Sequence, residues 1–422
     1  MDQQWRTWLL IGATGFGGPA GQMAILHREV VERKRWLDEE EFLAAMRLCM
    51  LLPGPEAQQL ATYAGWRLGG LAGGLLAGTL FVLPGALLVT ALAWLHAAGE
   101  SVPLIAAAFA GTRPAVVALV GLAAWRIGRK SIRTAAAAVI AVAAFAALAA
   151  GVPFPLVVAI AGIAGWLLPL DLAASARGKP SAAAQGAESL APSGADVSRA
   201  AAIRWPVAIA AAALLVWIAC YGIVWRLDLA GGAGPAIARL FTETTLLSLG
   251  GAYAVVPWAL DESVARGWLE PAERFDALAM GEATPGPLIL VVTFIGFLAG
   301  WKTDPSAAAT AGLEGAAIAT LFAFIPSFGM VLALAPLVRT IRAGSRLGRA
   351  MTAIGAAVVA AIALLGLRLA AGAFFPQGSP EIVPILVAAA SGTVLALGRA
   401  STPVVVLASA VLGAAIHARL AG

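Results

Sequence analysis

Glu56 stands directly after Pro53-Gly54-Pro55, and Glu282 stands three residues before Pro285-Gly286-Pro287, both in stretches that are otherwise apolar. Proline removes a backbone donor and clashes with the preceding turn, so Pro-Gly-Pro breaks a helix instead of bending it. The half-helix that starts after such a break offers unpaired N–H groups and the positive end of its dipole, which can receive an anion. The half-helix that stops before it offers carbonyl oxygens, which can coordinate a cation. A carboxylate beside the break can carry a proton, so Glu56 and Glu282 are candidate coupling groups. The plainer alternative is that each motif only makes a kink or a tight loop.

Two more interruptions have the same character. Gly17-Gly18-Pro19 and Gly250-Gly251 lie inside apolar runs. The candidate binding set is therefore Gly17, Gly18, Pro19, Pro53, Gly54, Pro55, Gln58, Gly250, Gly251, Thr284, Pro285, Gly286 and Pro287, with Gln59, Thr62 and Thr293 as further neutral hydrogen-bonding groups. Arg47, Arg113 and Glu243 are charge candidates, because charges at membrane depth are expensive. Against this, Arg47 can snorkel to an interface and Arg113 can mark a helix end. His27, His96 and His417 have no metal-ligand partner at helical spacing and read as interfacial histidines. Cys49 and Cys220 lie within apolar segments and read as small hydrophobes. No metal site or cofactor is expected. Neither a P-loop nor a hydrolase motif occurs, so the sequence signals no enzyme and no ATP-driven pump, and an ion or solute gradient must supply the energy.

These residues have to be positioned by membrane-embedded helices. Of 422 residues 60% are hydrophobic and 12% charged, outside the composition of a soluble domain. Apolar runs at 68–96, 133–150, 205–225, 308–336 and 402–416 are each long enough to cross a hydrocarbon core of about 30 Å. The net charge of +5 sits in short loops, which reads as membrane topology and not as nucleic-acid binding.

The chain repeats itself. "GFGGPAGQM" at 15–23 matches "SLGGAYAVV" at 248–256, "RWLDEEEF" at 35–42 matches "GWLEPAERF" at 267–275, "LLPGP" at 51–55 matches "ATPGP" at 283–287, and "FVLPG" at 81–85 pairs with "FIPSF" at 324–328. Four matches in one order indicate two tandem copies of one unit. Each copy has about six hydrophobic elements, near 5–27, 40–64, 68–97, 104–126, 132–150 and 152–170, then 236–258, 274–299, 308–336, 350–371, 381–398 and 402–420. The fold expected is an all-α polytopic membrane protein. An N-terminal repeat over 1–170 is followed by a polar cytoplasmic linker over 171–204, a connecting transmembrane helix over 205–226 and a C-terminal inverted repeat over 227–422.

Charge supports the inversion. The loop 126–133 carries Arg126, Arg129, Lys130 and Arg133, and the segment 337–349, the counterpart of the acidic 97–103, carries Arg339, Arg342, Arg346 and Arg349. One loop conflicts with a count in which every element spans: 27–36, with Arg28, Arg33, Lys34 and Arg35, would face outward. If the first two elements of each copy are re-entrant hairpins, that conflict disappears. Both versions are compatible with the hydropathy.

The stretches "FGGPAGQMAILHREVVERKRWLDEEEF", "LCMLLPGPEAQQLATYAGW", "LSLGGAYAVVP" and "GWLEPAERFDALAMGEATPGPLILVVTFIGF" make the chain resemble the two-domain form of the chromate ion transporter family. The matching motif positions are Gly17, Gly18, Pro19, Trp36, Pro53, Gly54, Pro55, Gly250, Gly251, Trp268, Pro285, Gly286 and Pro287. Two positions depart, with Ala252 where the first copy has Pro19 and Met50 where Gln is more typical of the family. The resemblance implies gradient-driven export of chromate across the bacterial inner membrane, with sulfate as the look-alike anion. The partners expected are that oxyanion, a coupling ion such as a proton, and the lipid bilayer; a homodimer is compatible with the family.

Overall fold

The computed structural model describes residues 4–99, 102–168, 199–249, 251–338, 345–376 and 378–421. Gly250, Arg339, Arg342 and the linker up to residue 198 lie outside the described residues. Among the described residues every regular element is helical. The first copy contains α1 (Gln4–Thr14), α2 (Gly18–His27), α3 (Glu39–Leu51), α4 (Glu56–Gly99), α5 (Pro103–Ser131), α6 (Ala135–Ala149) and α7 (Phe154–Leu167). A connecting helix, α8 (Arg199–Arg226), begins earlier than the 205 expected from hydropathy. The second copy contains α9 (Gly234–Leu247), α10 (Ala252–Ala265), α11 (Glu273–Ala283), α12 (Val291–Thr303), α13 (Ala308–Leu334), α14 (Ser345–Phe374), α15 (Ile382–Ala396) and α16 (Thr402–Ala421).

The first two elements of the first copy turn back on themselves. The rings of Trp8 and Trp36 lie 5.3 Å apart, whereas an unbroken helix would separate residues 28 positions apart by about 42 Å. Glu41, near the start of α3, accepts hydrogen bonds from Tyr63 Oη at 2.8 Å and from Arg67, beyond the Pro-Gly-Pro break. In the second copy Lys302 Nζ donates to Glu273 Oε2 at 2.5 Å, joining the far ends of α11 and α12. In each copy, then, a glutamate at the base of the descending half-helix is paired with a cation at the base of the ascending one.

α4 contains a second reversal that the apolar run conceals. Gly69 and Gly70 leave helical geometry, Gly70 with φ +61°, and the limb 56–68 folds against the limb 71–99. Small residues permit the contact: a Cβ on Gly65 would collide with Gly73 and Ala77. The second copy repeats this between α12 and α13, where a Cβ on Gly296 would collide with Gly315 and Ala319. Close backbone approach of this kind is how helices associate in lipid, where no hydrophobic difference drives them together.

Counterpart helices of the two copies run antiparallel, which is the inversion in structural terms. Along the pair α4 and α13, Gly74 faces Leu332 and Gly78 faces Phe328. Along α5 and α14, Val120 faces Gly366, Gly128 faces Val359 and Ser131 faces Gly355. Following the chain outward from these contacts places Arg67, the 28–36 loop, Arg129, Lys130 and Arg349 at one end. His96, Glu273, Lys302 and Asp304 fall at the other. The version with re-entrant hairpins is the one the fold adopts.

One expectation fails. The segments 132–150 and 152–170 were expected to be elements of spanning length, but α6 and α7 have 15 and 14 residues, about 22 Å each. Thr134 caps α6 by accepting from Ala137 N–H, and Gly151 with φ +87° followed by Pro153 forces the turn into α7. The counterpart of α6, α15, also has 15 residues. Among the described residues, six helices are long and apolar enough to cross a membrane, at 56–99, 103–131, 204–226, 305–337, 346–374 and 402–419.

The hairpin arrangement predicts that, in a background without Cys49 and Cys220, an R33C variant reacts with an impermeant thiol reagent from the same side as K130C, and R266C from the opposite side. Labelling of R33C and K130C from opposite sides contradicts it.

Candidate functional site

The four breaks meet in two crossed pairs at mid-height. Gly286 N–H donates to Gly15 O at 3.1 Å, so the second break of the second copy pairs with the first break of the first. Gly54 N–H donates to Ser248 Oγ at 2.8 Å, so the other two breaks pair in the same sense. Gly15 and Ser248 occupy matching repeat positions, as do Gly286 and Gly54. Gln22 reinforces the first pair, its Nε2 donating to Gly286 O at 2.5 Å and to Gly15 O at 3.2 Å. The second is backed by Gln59 Nε2, which donates to Pro53 O at 2.7 Å, and by Ser327, whose hydroxyl donates to Gln58 Oε1 at 2.6 Å.

This pairing explains how broken backbone persists inside a membrane protein. In a medium without water each unsatisfied backbone group costs several kcal/mol. The prolines of Pro-Gly-Pro have no N–H, and the one remaining donor, the glycine N–H, bonds to the other copy in both motifs. The long helices cradle the tips, since a Cβ on Gly85 would collide with Pro285 O and one on Gly54 would meet Ser327 Oγ.

The half-helices that restart after the breaks point their N-termini at one place. Pro19 and Gln22 of α2, Pro55, Glu56 and Ala57 of α4, Gly251 and Ala252 of α10, and Pro287 and Leu288 before α12 enclose a cavity of about 20 Å³. That holds a water molecule and is too small for a tetrahedral oxyanion, so the site is closed in this conformation. The Glu56 carboxylate reaches across it, with Oε1 3.1 Å from where a Cβ on Gly251 would lie. Gly251 has φ +100°, so glycine is needed there for backbone geometry as well as for space. A larger cavity of about 660 Å³ lies between α8, α9 and α13. Its walls, including Pro206, Trp217 and Pro326, are apolar and offer an ion nothing.

A family profile described as chromate transporter matches residues 3–166 and 235–414, which are the two copies without the linker. The chain belongs to the chromate transporter family. It is 32% identical over 388 residues to a chromate transport protein of Pseudomonas aeruginosa, covering 91% of this chain and 83% of that protein. A probable chromate transport protein of Synechococcus elongatus is 28% identical, covering 80% of this chain and 76% of that protein. A chromate transport protein of Cupriavidus metallidurans is 27% identical, covering 78% and 72%. No solved structure matches the chain.

In this member of the chromate transporter family, Pro19, Pro55, Glu56, Gly251 and Pro287 line the closed cavity. Pro53, Gly54, Pro285 and Gly286 form the turns behind it, and Gly17 and Gly18 form a left-handed turn into α2, Gly17 being exposed. Gln58 is buried among Thr62 and Ser327, and the Thr284 hydroxyl donates to Met280 O, so neither lines the cavity. Glu282 stands apart from Glu56: it accepts a hydrogen bond from Tyr253 and lies within electrostatic reach of Arg126. Repeat alignment explains the separation, because the counterpart of Glu56 is Leu288 and that of Glu282 is Met50. Arg47 is exposed on α3, and Glu243 pairs with Arg239 one turn away. Arg113 lies over the ring of Phe275, away from the cavity. Gln22, Ser248, Ser327 and Tyr253 were not singled out from sequence. Ser248 and Ser327 could have been, as hydroxyls aligned with Gly15 and Gly85 in the repeated stretches.

Replacing Ser248 with Ala leaves the buried Gly54 N–H without an acceptor, at a cost of about 1–3 kcal/mol. Thermal unfolding of S248A in detergent is expected to show a lowered midpoint, and a wild-type midpoint would remove the latch from the account.

Proposed function

We propose that the protein is a secondary active transporter that exports chromate, a sulfate-like oxyanion, across the bacterial inner membrane, driven by an ion gradient. The observation that carries this is the convergence of four half-helix N-termini on one cavity. Each contributes the equivalent of roughly half a positive charge, about two in total, which suits a dianion. Among the described residues no Lys or Arg lines the cavity, so recognition rests on backbone dipoles and first-turn N–H groups, and anions of equal shape and charge are discriminated weakly.

Glu56 supplies the coupling. Ionised, it cancels part of the positive potential and fills the space an oxyanion needs; protonated, it restores the potential and can swing aside or donate a hydrogen bond. A dianion and a proton are thereby bound and carried together with a net charge of −1, so the inside-negative membrane potential is the gradient that favours export. Glu282, tied to Tyr253 outside the cavity, is a second proton-carrying candidate. The carboxylate itself is the one observation that favours a cation as substrate, and four positive helix ends around it weigh against that.

The basic end of the bundle, with the linker, faces the cytoplasm on this reading. The two copies, residues 1–170 and 227–422, then close over the cavity from opposite sides, with α8 joining them. α8 leans on the second copy through Trp205 Nε1 to Leu332 O and Trp217 Nε1 to Thr242 Oγ1.

Purified protein in proteoliposomes is expected to take up radiolabelled chromate in a saturable way, with sulfate competing, and a pH gradient is expected to drive accumulation. E56Q is expected to keep chromate binding while losing accumulation against a gradient. Absence of sulfate-sensitive uptake by the wild type contradicts the oxyanion assignment, and loss of all binding in E56Q favours a cation.

A further inference from the structure

At the end of the bundle opposite the basic loops, four elements bring charged side chains together away from the central cavity. His96 closes the long limb of α4, Glu273 and Asp276 lie on α11, Lys302 on α12 and Arg113 on α5. His96 Nε2 is 3.6 Å from Glu273 Oε1, and Nδ1 is 4.0 Å from Asp276 Oδ2. The imidazole is packed edge-on to Phe109 at 4.7 Å and tilted against Phe294 at 5.3 Å between ring centroids. Asp276 is 3% exposed in its side chain, His96 is 12% exposed and Lys302 29%, so water reaches the cluster at its rim and not at Asp276. Asp276 Oδ1, His96 Nδ1 and Arg113 Nε are buried without a hydrogen-bond partner.

Charge bookkeeping leaves one proton undecided. Glu273 is neutralised by Lys302 at 2.5 Å and also accepts from Glu270 N–H, and Arg113 lies within electrostatic reach of Asp276. With His96 neutral the cluster is balanced but leaves His96 Nδ1 and Asp276 Oδ1 buried and unpaired, a costly arrangement in a low dielectric. One added proton on His96 converts the 4.0 Å gap to Asp276 into an ion pair. Other charged groups at this end include Asp261, Arg274 and Arg368, which pair with one another, Glu262 paired with Arg266, Glu314, which accepts from Ala230 N–H, Asp228, Glu270, Asp304 and Glu381 in the connections, and His417 and Arg419 near the end of α16.

The repeat shows that this pair is an addition to the common plan. Glu273 aligns with Glu41, whose partners Arg67 and Tyr63 hold the other hairpin. By the spacing that aligns Pro285 with Pro53, Asp276 aligns with Ala44; by the spacing that aligns Pro326 with Pro84, His96 aligns with Val338. The clamp present in both copies is an ion pair, and the histidine with its buried aspartate occurs on one side alone. α11 runs from Asp276 directly to the Pro285-Gly286-Pro287 break, and the α4 limb that ends in His96 carries Gly85 beneath that break.

We propose that His96 and Asp276 form a proton-binding site through which the second hairpin is held against α4, so that protonation from the non-basic side of the membrane sets the position of one wall of the oxyanion cavity. The proposal rests on the transport reading above. Binding a proton draws α11 onto α4 and fixes the break; losing it frees α11 to move with the tip at Gly286. Histidine serves because an imidazole can take up and release a proton without leaving its packed position.

Two transport modes separate this proposal from the reading it rests on. Exchange of labelled for unlabelled chromate, without a proton gradient, reports the oxyanion site, and accumulation driven by a pH gradient reports coupling. H96Q, D276N and the double variant H96V/D276A, which installs the residue types of the counterpart pair Val338 and Ala44, are expected to keep exchange and to lose pH-driven accumulation severalfold. Failure of the wild type to exchange chromate overturns the transport reading, whereas pH-driven accumulation unchanged in the variants overturns the proton site alone. A measurement independent of folding in the variants is infrared difference spectroscopy of the purified wild type across about pH 5 to 8. Imidazole and carboxyl bands changing at one shared midpoint are expected, and an imidazole that does not titrate in this range overturns the proposal.

Discussion

Everything at the centre of this protein depends on one constraint: a helix broken at membrane depth must have its freed backbone groups satisfied without water. Neither copy satisfies the glycine N–H of its own Pro-Gly-Pro break. Gly54 N–H bonds to Ser248 Oγ and Gly286 N–H bonds to Gly15 O, so each Pro-Gly-Pro motif is completed by a glycine or serine of the other repeat. The two halves are therefore interdependent at the site where they touch, and the hydrogen bonds that close the site are also the ones that any opening motion must exchange.

From that crossing the rest follows in order. Four half-helices restart around one cavity, and the partial positive charges that their N-termini present there belong to the backbone, no Lys or Arg being among its described lining residues. The long limb of α4 and α13 pack antiparallel through small residues and hold the tips in place. At the bases of two hairpins, Glu41 with Arg67 and Glu273 with Lys302 anchor the limbs. Each hairpin is thus pinned at its base and latched at its tip, a geometry in which the tip can move while the base stays.

Much of this was legible in the sequence because proline and glycine have few alternative meanings inside apolar runs. The Pro-Gly-Pro pair fixed both the breaks and the repeat, and the basic residues of 28–35 indicated hairpins where hydropathy alone indicated spans. The reversal at Gly69-Gly70 was hidden because it sits in a run that remains apolar on both sides, and turning back within lipid changes no composition. The shortness of α6 and α7 was hidden for the same reason. Glu56 and Glu282 look alike in sequence, each beside a Pro-Gly-Pro, but one follows its break and the other precedes its own. Half-helix polarity therefore sends Glu56 into the cavity and Glu282 to Tyr253. Gln22 was missed because a lone glutamine in a helix carries no signal until the carbonyls it reaches are known.

The central claim is that a dianion and a proton occupy the four-terminus cavity together. Calorimetric titration of the purified protein with sulfate or chromate, in buffers of differing ionisation heat, measures the protons taken up per anion bound. The account predicts uptake of about one proton per dianion in the wild type near neutral pH and none in E56Q. Anion binding by the wild type with no accompanying proton would contradict it.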